Sequence, residues 1–245
     1  HKAKKISVPI VKYPLREKAV FGIDELQRKT EEEYKFEYSP KISIVVPLFN
    51  TPLIFLKEMV ESVKNQTYKN WELCLADGSD GKHLEVENYC EKIAEDDKRV
   101  KYKKLEKNEG ISENTNRCIE MSTGEFIALF DHDDILAPSA LFEVVRKINE
   151  EKADFVYTDE AVFESPDIRK IVSIHNKPDF APDNLKANNF ICHFTVFDKN
   201  LLSLTGGFRK ECDGSQDHDL MLRLTDKAEK IVHIPKILYF WRSHP

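Results

Sequence analysis

Apolar positions along the chain fall into short blocks separated by longer amphipathic stretches. Residues 42–47 (ISIVVP), 71–76 (WELCLA) and 125–130 (EFIALF) are nearly continuous apolar runs. Runs of this length suit parallel strands buried on both faces. Helical spacing occupies 53–65, 83–95, 111–121 and 138–150, the last opened by Pro138 at an early helix position. Two further short strands are predicted at 100–104 and 155–158. Strand and helix thus alternate from residue 41 to about 158, which predicts a mostly parallel central sheet flanked by helices, an α/β fold.

Beyond Asp159 the rhythm changes. Residues 162–164 and 168–174 can pair as a hairpin across Ser165-Pro166-Asp167. Strands are predicted at 192–197, 231–234 and 237–241, and a helix at 217–225. These shorter pieces predict a small antiparallel extension in the C-terminal half. Residues 1–40 are rich in Lys and Glu and poor in apolar positions, and read as an N-terminal arm or linker that could mediate self-association. Within it, residues 24–35 can form a charged helix capped by Asp24. The Lys/Glu runs at 29–35 and 101–109 read as solvated faces.

Composition narrows the class. The 245 residues are 41% hydrophobic and 33% charged with mixed signs, as in a folded globular chain. A net charge of −6 argues against a nucleic-acid partner, which would want a concentrated basic face. No apolar run is long enough to span a bilayer, and the basic start lacks the apolar core of a signal peptide. The first residue is not Met, so the sequence reads as a piece of a longer protein. Five scattered cysteines without a C-x-x-C pair fit reduced thiols in the cytoplasm and make a zinc site improbable.

In an open parallel sheet, ligands bind beyond the carboxyl ends of the strands. That rule selects Pro47-Leu48-Phe49-Asn50, Asp77-Gly78-Ser79-Asp80 and Asp131-His132-Asp133-Asp134. The last cluster is the most informative. Crowded carboxylates raise one another's pKa unless a cation sits among them, and carboxylates suit Mg2+ or Mn2+, which bridge phosphate oxygens. The plainer alternative is that Asp134 caps the helix beginning near Pro138. Neither a G-x-x-x-x-G-K-[ST] loop nor a G-x-G-x-x-G fingerprint is present, which weakens P-loop hydrolysis and dinucleotide redox chemistry. Tyr157-Thr158-Asp159-Glu160 ends a strand on the same edge, so its acids can face the site.

Together these pieces resemble the family 2 glycosyltransferases of the GT-A fold. The resemblance is carried by Ile44-Val45-Val46-Pro47-Leu48-Phe49-Asn50, Gln66-Thr67-Tyr68, Trp71-Glu72-Leu73, Gly124-Glu125-Phe126-Ile127 and Asp131-His132-Asp133-Asp134. It continues in Gly214-Ser215-Gln216-Asp217-His218-Asp219-Leu220, Leu222-Arg223 and Tyr239-Phe240-Trp241-Arg242-Ser243-His244. It covers residues 41–245, with a nucleotide-binding half at 41–134 and an acceptor-binding half at 135–245. It is nearest to bacterial enzymes that build surface polysaccharides or glycosylate surface proteins.

The resemblance implies roles. Asp131 and Asp133 match the D-x-D motif that contacts donor and metal, and His244 matches a late histidine that completes the Mn2+ or Mg2+ site. Donor contacts fall on Pro47, Phe49, Asn50, Asp77, Asn116, Asp131, His132 and Asp133, with Asp77 near the nucleotide base. Asp217 matches the base that deprotonates the acceptor. Acceptor contacts fall on His193, Gln216 and Trp241, with His175 and Lys177 in the same region. The chain departs from the family pattern at Ala76, at Thr115 where arginine is common, and at Gln216 where glutamate is common. The expected activity is inverting, metal-dependent transfer from a nucleotide-sugar, a UDP-sugar first, to a glycan, glycoprotein or lipid-linked saccharide. A lipid-linked acceptor would bring a cytoplasmic enzyme to the inner face of the membrane. The rivals are a nucleotidyltransferase using the same carboxylates, and an inactive nucleotide-sugar-binding module. Retention of both Asp133 and Asp217 argues against the second. Ser215-Gln216-Asp217 can also be read simply as a capped helix start, Asp219 and Arg223 as an i,i+4 pair, and Trp241 as strand packing.

Overall fold

A computed structural model describes residues 21–243. The N-terminal half alternates as expected: α1 (Glu25–Glu33), β1 (Ile42–Leu48), α2 (Leu53–Lys64), β2 (Trp71–Asp77), α3 (Leu84–Asp96), β3 (Val100–Lys104), α4 (Ile111–Met121) and β4 (Phe126–Leu129). There follow β5 (Ile135–Leu136), α5 (Ala140–Glu151), β6 (Phe155–Glu164), β7 (Ile171–His175), α6 (Pro182–Ala187), β8 (Thr195–Asp198), α7 (Leu201–Thr205), α8 (Gln216–Lys227) and β9 (Ile231–Ser243).

One sheet runs in the order β3-β2-β1-β4-β8-β6-β9-β5, with β7 hydrogen-bonded to β6. The pairs β3·β2, β2·β1 and β1·β4 are parallel, as is β6·β9. The antiparallel pairs β4·β8, β6·β8, β6·β7 and β5·β9 all involve the C-terminal half. All seven residues of β1 and of β2 are buried, as doubly covered strands require. The sheet separates two apolar layers. One is formed with α2, α3 and α5, the other with α4, α7 and α8.

Topology decides what reaches one edge. β1 to β4 all end there. β8 runs the other way, so the loop preceding Thr195 arrives at that edge. β6 runs with β4, so Asp159 and Glu160 lie past its pairing with β8. The predicted hairpin is β6·β7. The two short strands expected at 231–234 and 237–241 are one strand, β9. Its register against β6 shifts between Thr158↔Ile234 and Asp159↔Ile237, so Pro235, which has no N–H to donate, sits in a bulge.

Residues 24–39 lie against this domain. Asp24 caps α1 as expected, accepting from the Gln27 N–H at 2.7 Å. Glu31, read as part of a solvated face, is instead buried. Its carboxylate accepts from Thr67 Oγ1 at 2.7 Å and Ser139 Oγ at 3.0 Å. Tyr34 and Phe36 pack on Phe142, and Phe36 on Tyr68. Among the described residues no helix is long and apolar enough to cross a membrane.

Candidate active site

The loops after β1 and β2 are clasped together. The Asn50 N–H donates to Ser79 Oγ at 2.8 Å, and Asn50 Oδ1 accepts from the Asp80 N–H at 3.1 Å. Asn50 reaches this position with φ of 49°, a left-handed conformation that Asn tolerates better than most residues. Pro47 is buried in β1, whereas the Phe49 ring is 47% exposed at the loop tip. Asp77 is fully buried. It accepts from the Ser79 N–H at 2.8 Å, and from Tyr102 Oη and Lys104 Nζ, both at 3.0 Å. Burial opposes its charge, but these donors outweigh burial and hold the carboxyl below the usual carboxylate range. Lys104 therefore belongs to this pocket rather than to a solvated run.

Asn116 faces elsewhere. Its amide is tied at both ends to Phe208, donating to the carbonyl at 3.0 Å and accepting from the N–H at 2.9 Å. The asparagine beside the β2 loop is Asn114, whose Nδ2 donates to Asn108 Oδ1 at 2.8 Å, and a Cβ on Gly78 would lie 2.9 Å from it. Asn114 and Asn116 lie two residues apart and so on opposite faces of α4, and it is Asn114 that faces the β2 loop.

The acidic loop follows β4. Asp131 is half-exposed, and His132 Nδ1 lies 3.5 Å from Asp133 Oδ1. Asp134 is buried and does not cap α5, which begins after Ser139 without a side-chain cap. Its carboxyl instead accepts from Tyr239 Oη and from the Arg242 N–H at 2.7 Å. Burial, then the charges of Asp131 and Asp133, push it up to about 8. The buried Arg242 guanidinium holds the loop from behind, donating to the Asp133 carbonyl and to Glu58 Oε2 at 2.6 Å between the rings of Phe55 and Phe163.

The loop before β8 brings His193 against these acids. Nε2 lies 3.1 Å from Asp131 Oδ2, and Nδ1 lies 3.3 Å from Glu160 Oε2 without hydrogen-bond alignment. The imidazole stacks on Tyr239 with centroids 4.6 Å apart. Burial opposes protonation of His193, but Asp131 and Glu160 outweigh it and raise the group well above the ordinary histidine range. Crowding by the surrounding protein opposes ionisation of Asp131, and the contact with His193 outweighs it and holds the carboxyl below the usual carboxylate range. Trp241 is 42% exposed, its ring 5.7 Å from that of His193 and 6.4 Å from that of His175. It therefore presents a face to solvent beside the site rather than packing within the strand.

Asp217 opens α8. Gln216 Nε2 donates to its Oδ2 at 3.1 Å, and Gln216 Oε1 accepts from the Gly214 N–H at 2.8 Å. Ser215 occupies the cap position without a side-chain cap bond. Removal from water, then the charge of Asp131, push the Asp217 carboxyl up to about 6, with His193 and Gln216 holding it back. Asp131, His193 and Asp217 thus share one electrostatic environment. Asp219 pairs with Arg223 as expected, and Arg223 also donates to the carbonyls of Thr205, Gly206 and Gly207, so this pair anchors the loop after α7.

Two residues gain importance from the structure. Lys177 and Glu160 are each 3% exposed at the side chain and pair at 3.0 Å beneath His193. Their signal in the sequence is a pair of acids ending a strand, followed by a lysine in the next connection.

Among the described residues, no group of three or more His, Cys, Asp or Glu side chains is arranged to hold a metal ion. His244 lies outside the described residues. The donors the loop does offer, Asp131 and Asp133, are hard oxygens of the kind Mg2+ and Mn2+ take alongside water and phosphate oxygens. Negative charge from this loop is felt at both Asp134 and Asp217. The donor set and the surplus of negative charge both fit a divalent cation.

Residues 43–203 match the family described as glycosyl transferase family 2. Three curated relatives share 30–40% identity with the chain over 82–89% of its length. Among them, the O-antigen biosynthesis protein RfbC of Myxococcus xanthus is 33% identical over 206 residues, 83% of this chain and 16% of RfbC. The chain spans only 16–24% of the length of these three relatives. The fold matches S. aureus TarS 1-349 in complex with UDP-GlcNAc, with a TM-score of 0.69, 20% identity, and coverage of 84% of this chain and 59% of that one. It also matches the mannosyltransferase PcManGT of Pyrobaculum calidifontis in complex with GDP-Man and Mn2+, with a TM-score of 0.62, 16% identity, and coverage of 88% and 62%. With the family match spanning more than half of the chain, and its acids gathered at the carboxyl edge of a GT-A sheet, the chain belongs to glycosyltransferase family 2.

Proposed function

We propose that the chain transfers a sugar from a nucleotide-sugar to an acceptor hydroxyl by a single, inverting displacement in which Asp217 is the base. The observation that carries this reading is the Asp217 carboxyl, raised to about 6 beside Asp131 and His193. A general base works best when its pKa lies near the working pH. A carboxyl at about 6 is ionised at neutral pH yet basic enough to draw a proton from a hydroxyl as the new bond forms. Gln216 orients one of its oxygens, leaving the other for the acceptor.

Asp131 and Asp133 are the residues that would hold Mn2+ or Mg2+, with His244 the expected third. A divalent cation bound there would neutralise charge gathering on the departing diphosphate. The Asn50–Ser79–Asp80 clasp shapes the nucleotide pocket, with Phe49 at its rim and Asp77 in its floor. His193 stands beside Asp131, its Nε2 3.1 Å from Oδ2, where it would help to orient that carboxylate. Trp241 offers an exposed aromatic face for an acceptor ring, and holding that ring in line with the anomeric carbon is itself a large part of catalysis. A UDP-sugar is the first donor to try, supported by the TarS complex, and a surface-polysaccharide acceptor is supported by RfbC.

The experiment is Asp217→Asn with UDP-, GDP-, dTDP- and CMP-sugars, with and without Mn2+. The expected result is that one donor raises the Tm of wild type and variant alike, while transfer by the variant falls by about 10²–10⁴-fold. Normal turnover by the variant would sink the assignment of the base. No Tm shift with any donor would sink the nucleotide-sugar reading.

A further inference from the structure

A buried lysine and a buried glutamate lie directly beneath the site. The side chains of Lys177 and Glu160 are both 3% exposed. Taking two such charges out of water costs several kcal/mol each, and a well-packed apolar pair of similar volume often serves stability equally well. The arrangement around them is directional. An ammonium has three N–H donors, and those of Lys177 are all used: on Glu160 Oε2 at 3.0 Å, on the Ile191 carbonyl at 2.6 Å, and on the His193 carbonyl. Lys177 thereby ties the β8-preceding loop to β6 on both sides of Cys192. Its own N–H donates to Asp159 Oδ1 at 2.8 Å, which fixes the lysine's backbone to the same strand.

Glu160 completes the connection. Its Oε1 meets His175 Nδ1 at 2.8 Å, so the carboxylate plane is held from the far side. Its Oε2, shared with Lys177, lies 3.3 Å from His193 Nδ1. The opposite ring nitrogen of His193 lies 3.1 Å from Asp131 Oδ2. A row of close charge contacts therefore runs Lys177–Glu160–His193–Asp131, in which Glu160 faces His193 electrostatically rather than through an aligned hydrogen bond, and the firm hold on the His193 loop is the pair of carbonyl contacts from Lys177. Tyr239, stacked under the imidazole, prevents the ring from tilting out of that line. Asp131 sits in a loop, where a carboxylate would otherwise sample several rotamers.

We propose that Glu160 and Lys177 are positioning residues of the transfer site: buried together, they fix the His193 loop and ring and, through them, the orientation of the Asp131 carboxylate. This rests on the reading of Asp131 as a residue that would hold the divalent cation beside the donor diphosphate. Glu160 and Lys177 are each 3% exposed at the side chain, and they act on the site through the loop that carries His193.

The test is calorimetric binding of UDP and of GDP, each with Mn2+, to wild type, Glu160→Gln, His193→Ala and the double variant, alongside Tm. Glu160→Gln preserves size but removes the charge that pairs with Lys177 and one of the two acceptor oxygens, so its Tm is read beside its affinity. Outer partners of this kind typically change affinity by about 10–100-fold, and a loss in that range is expected for the nucleotide that wild type binds. His193→Ala is expected to lose as much or more. In the His193→Ala background, Glu160→Gln should then change affinity by less than about twofold, because its route to Asp131 is already cut. A general loosening of the fold would not produce that saturation. Lys177→Met should weaken binding and Lys177→Arg should restore part of it; if Lys177→Met does not fold, Glu160→Gln carries the test. Wild-type-like binding by Glu160→Gln, or losses that multiply in the double variant, would overturn the proposal and leave the transferase reading standing. Wild type that binds neither nucleotide would overturn both.

Discussion

The Asp217 carboxyl can accept a proton only when ionised, so its raised pKa fixes a pH dependence. Burial and the charge of Asp131 set it at about 6. Below that value the base is protonated and idle; above it the base is available. We therefore expect kcat/KM to fall about tenfold per pH unit below about 6 and to level off above it, in a steady-state profile recorded where Tm shows the enzyme folded. A rate that stays flat from pH 7 to 4.5 would exclude Asp217 as the titrating base. That Asp131 and Asp133 follow a strand at the carboxyl edge was legible from chain position, and motif order singled out Asp217, whose carboxyl feels the charge of Asp131. Glu160 and Lys177 were only half legible. The acids at the end of β6 could be seen to reach the edge, but nothing in the linear pattern says that a lysine in the next connection folds back 3.0 Å from one of them. Motif position selected Asn116, but it does not tell that the Asn116 amide bonds the Phe208 backbone while Asn114, two residues earlier, lies by the β2 loop.

Elements were most legible where both faces are buried. β1, β2 and β4 announced themselves as apolar runs because helices cover both sides. β9 was read as two strands because Pro235 interrupts its pattern, and a bulge carries the strand across the break. The lysine runs misled for a related reason: a charged residue looks the same in sequence whether it is solvated or paired. Glu72 is the clearest case of a buried charge that ties elements together. From β2 it accepts from Ser43 Oγ at 2.7 Å, from Thr123 Oγ1 at 2.8 Å and the Thr123 N–H, and from Lys101 Nζ at 2.8 Å. The adjacent Gly124 lies so close that a Cβ would stand 2.5 Å from the Lys41 carbonyl. Burial opposes the Glu72 charge, but these donors outweigh it and bring the carboxyl down to about 2. A folded-state pKa below the ordinary 4.5 stabilises the fold above about pH 4.5, and that stability is lost as pH falls through about 2. The shift corresponds to something on the order of 3 kcal/mol. Glu72→Gln is therefore expected to lower Tm by about 5–10 °C at pH 7 and to flatten the decline of Tm below pH 4.5, both readable by thermal unfolding. A variant that melts like wild type at pH 7 would show that the network contributes nothing.

At the scale of the molecule, the sheet divides labour between its two edges. The carboxyl edge collects Asn50, Asp77, Asp131, His193 and Glu160, and groups there are crowded enough to raise Asp134 and Asp217. The opposite edge carries stabilising contacts, including the docking of α1. Glu31 reaches Thr67, in the turn that leads into β2, and Ser139 at the start of α5, while Tyr34 and Phe36 close over Phe142. The low apolar content of residues 1–40 hid this, because the docking uses one buried carboxylate and a few aromatic rings rather than an apolar stripe. The division makes a prediction that separates stability from catalysis. Glu31→Ala removes the acceptor of the Ser139 hydroxyl in a buried position and leaves Thr67 Oγ1 with only the longer contact to the Pro138 carbonyl at 3.3 Å. Losing buried partners of this kind costs about 1–3 kcal/mol, or about 2–12 °C in Tm for a chain of this size. Transfer per folded molecule should be unchanged, because no group at the carboxyl edge touches Glu31. The measurement is Tm together with kcat and KM at a temperature where the variant is fully folded. A loss of kcat in a fully folded Glu31→Ala enzyme would mean that the N-terminal helix communicates with the transfer site, and that the two edges of the sheet are not independent.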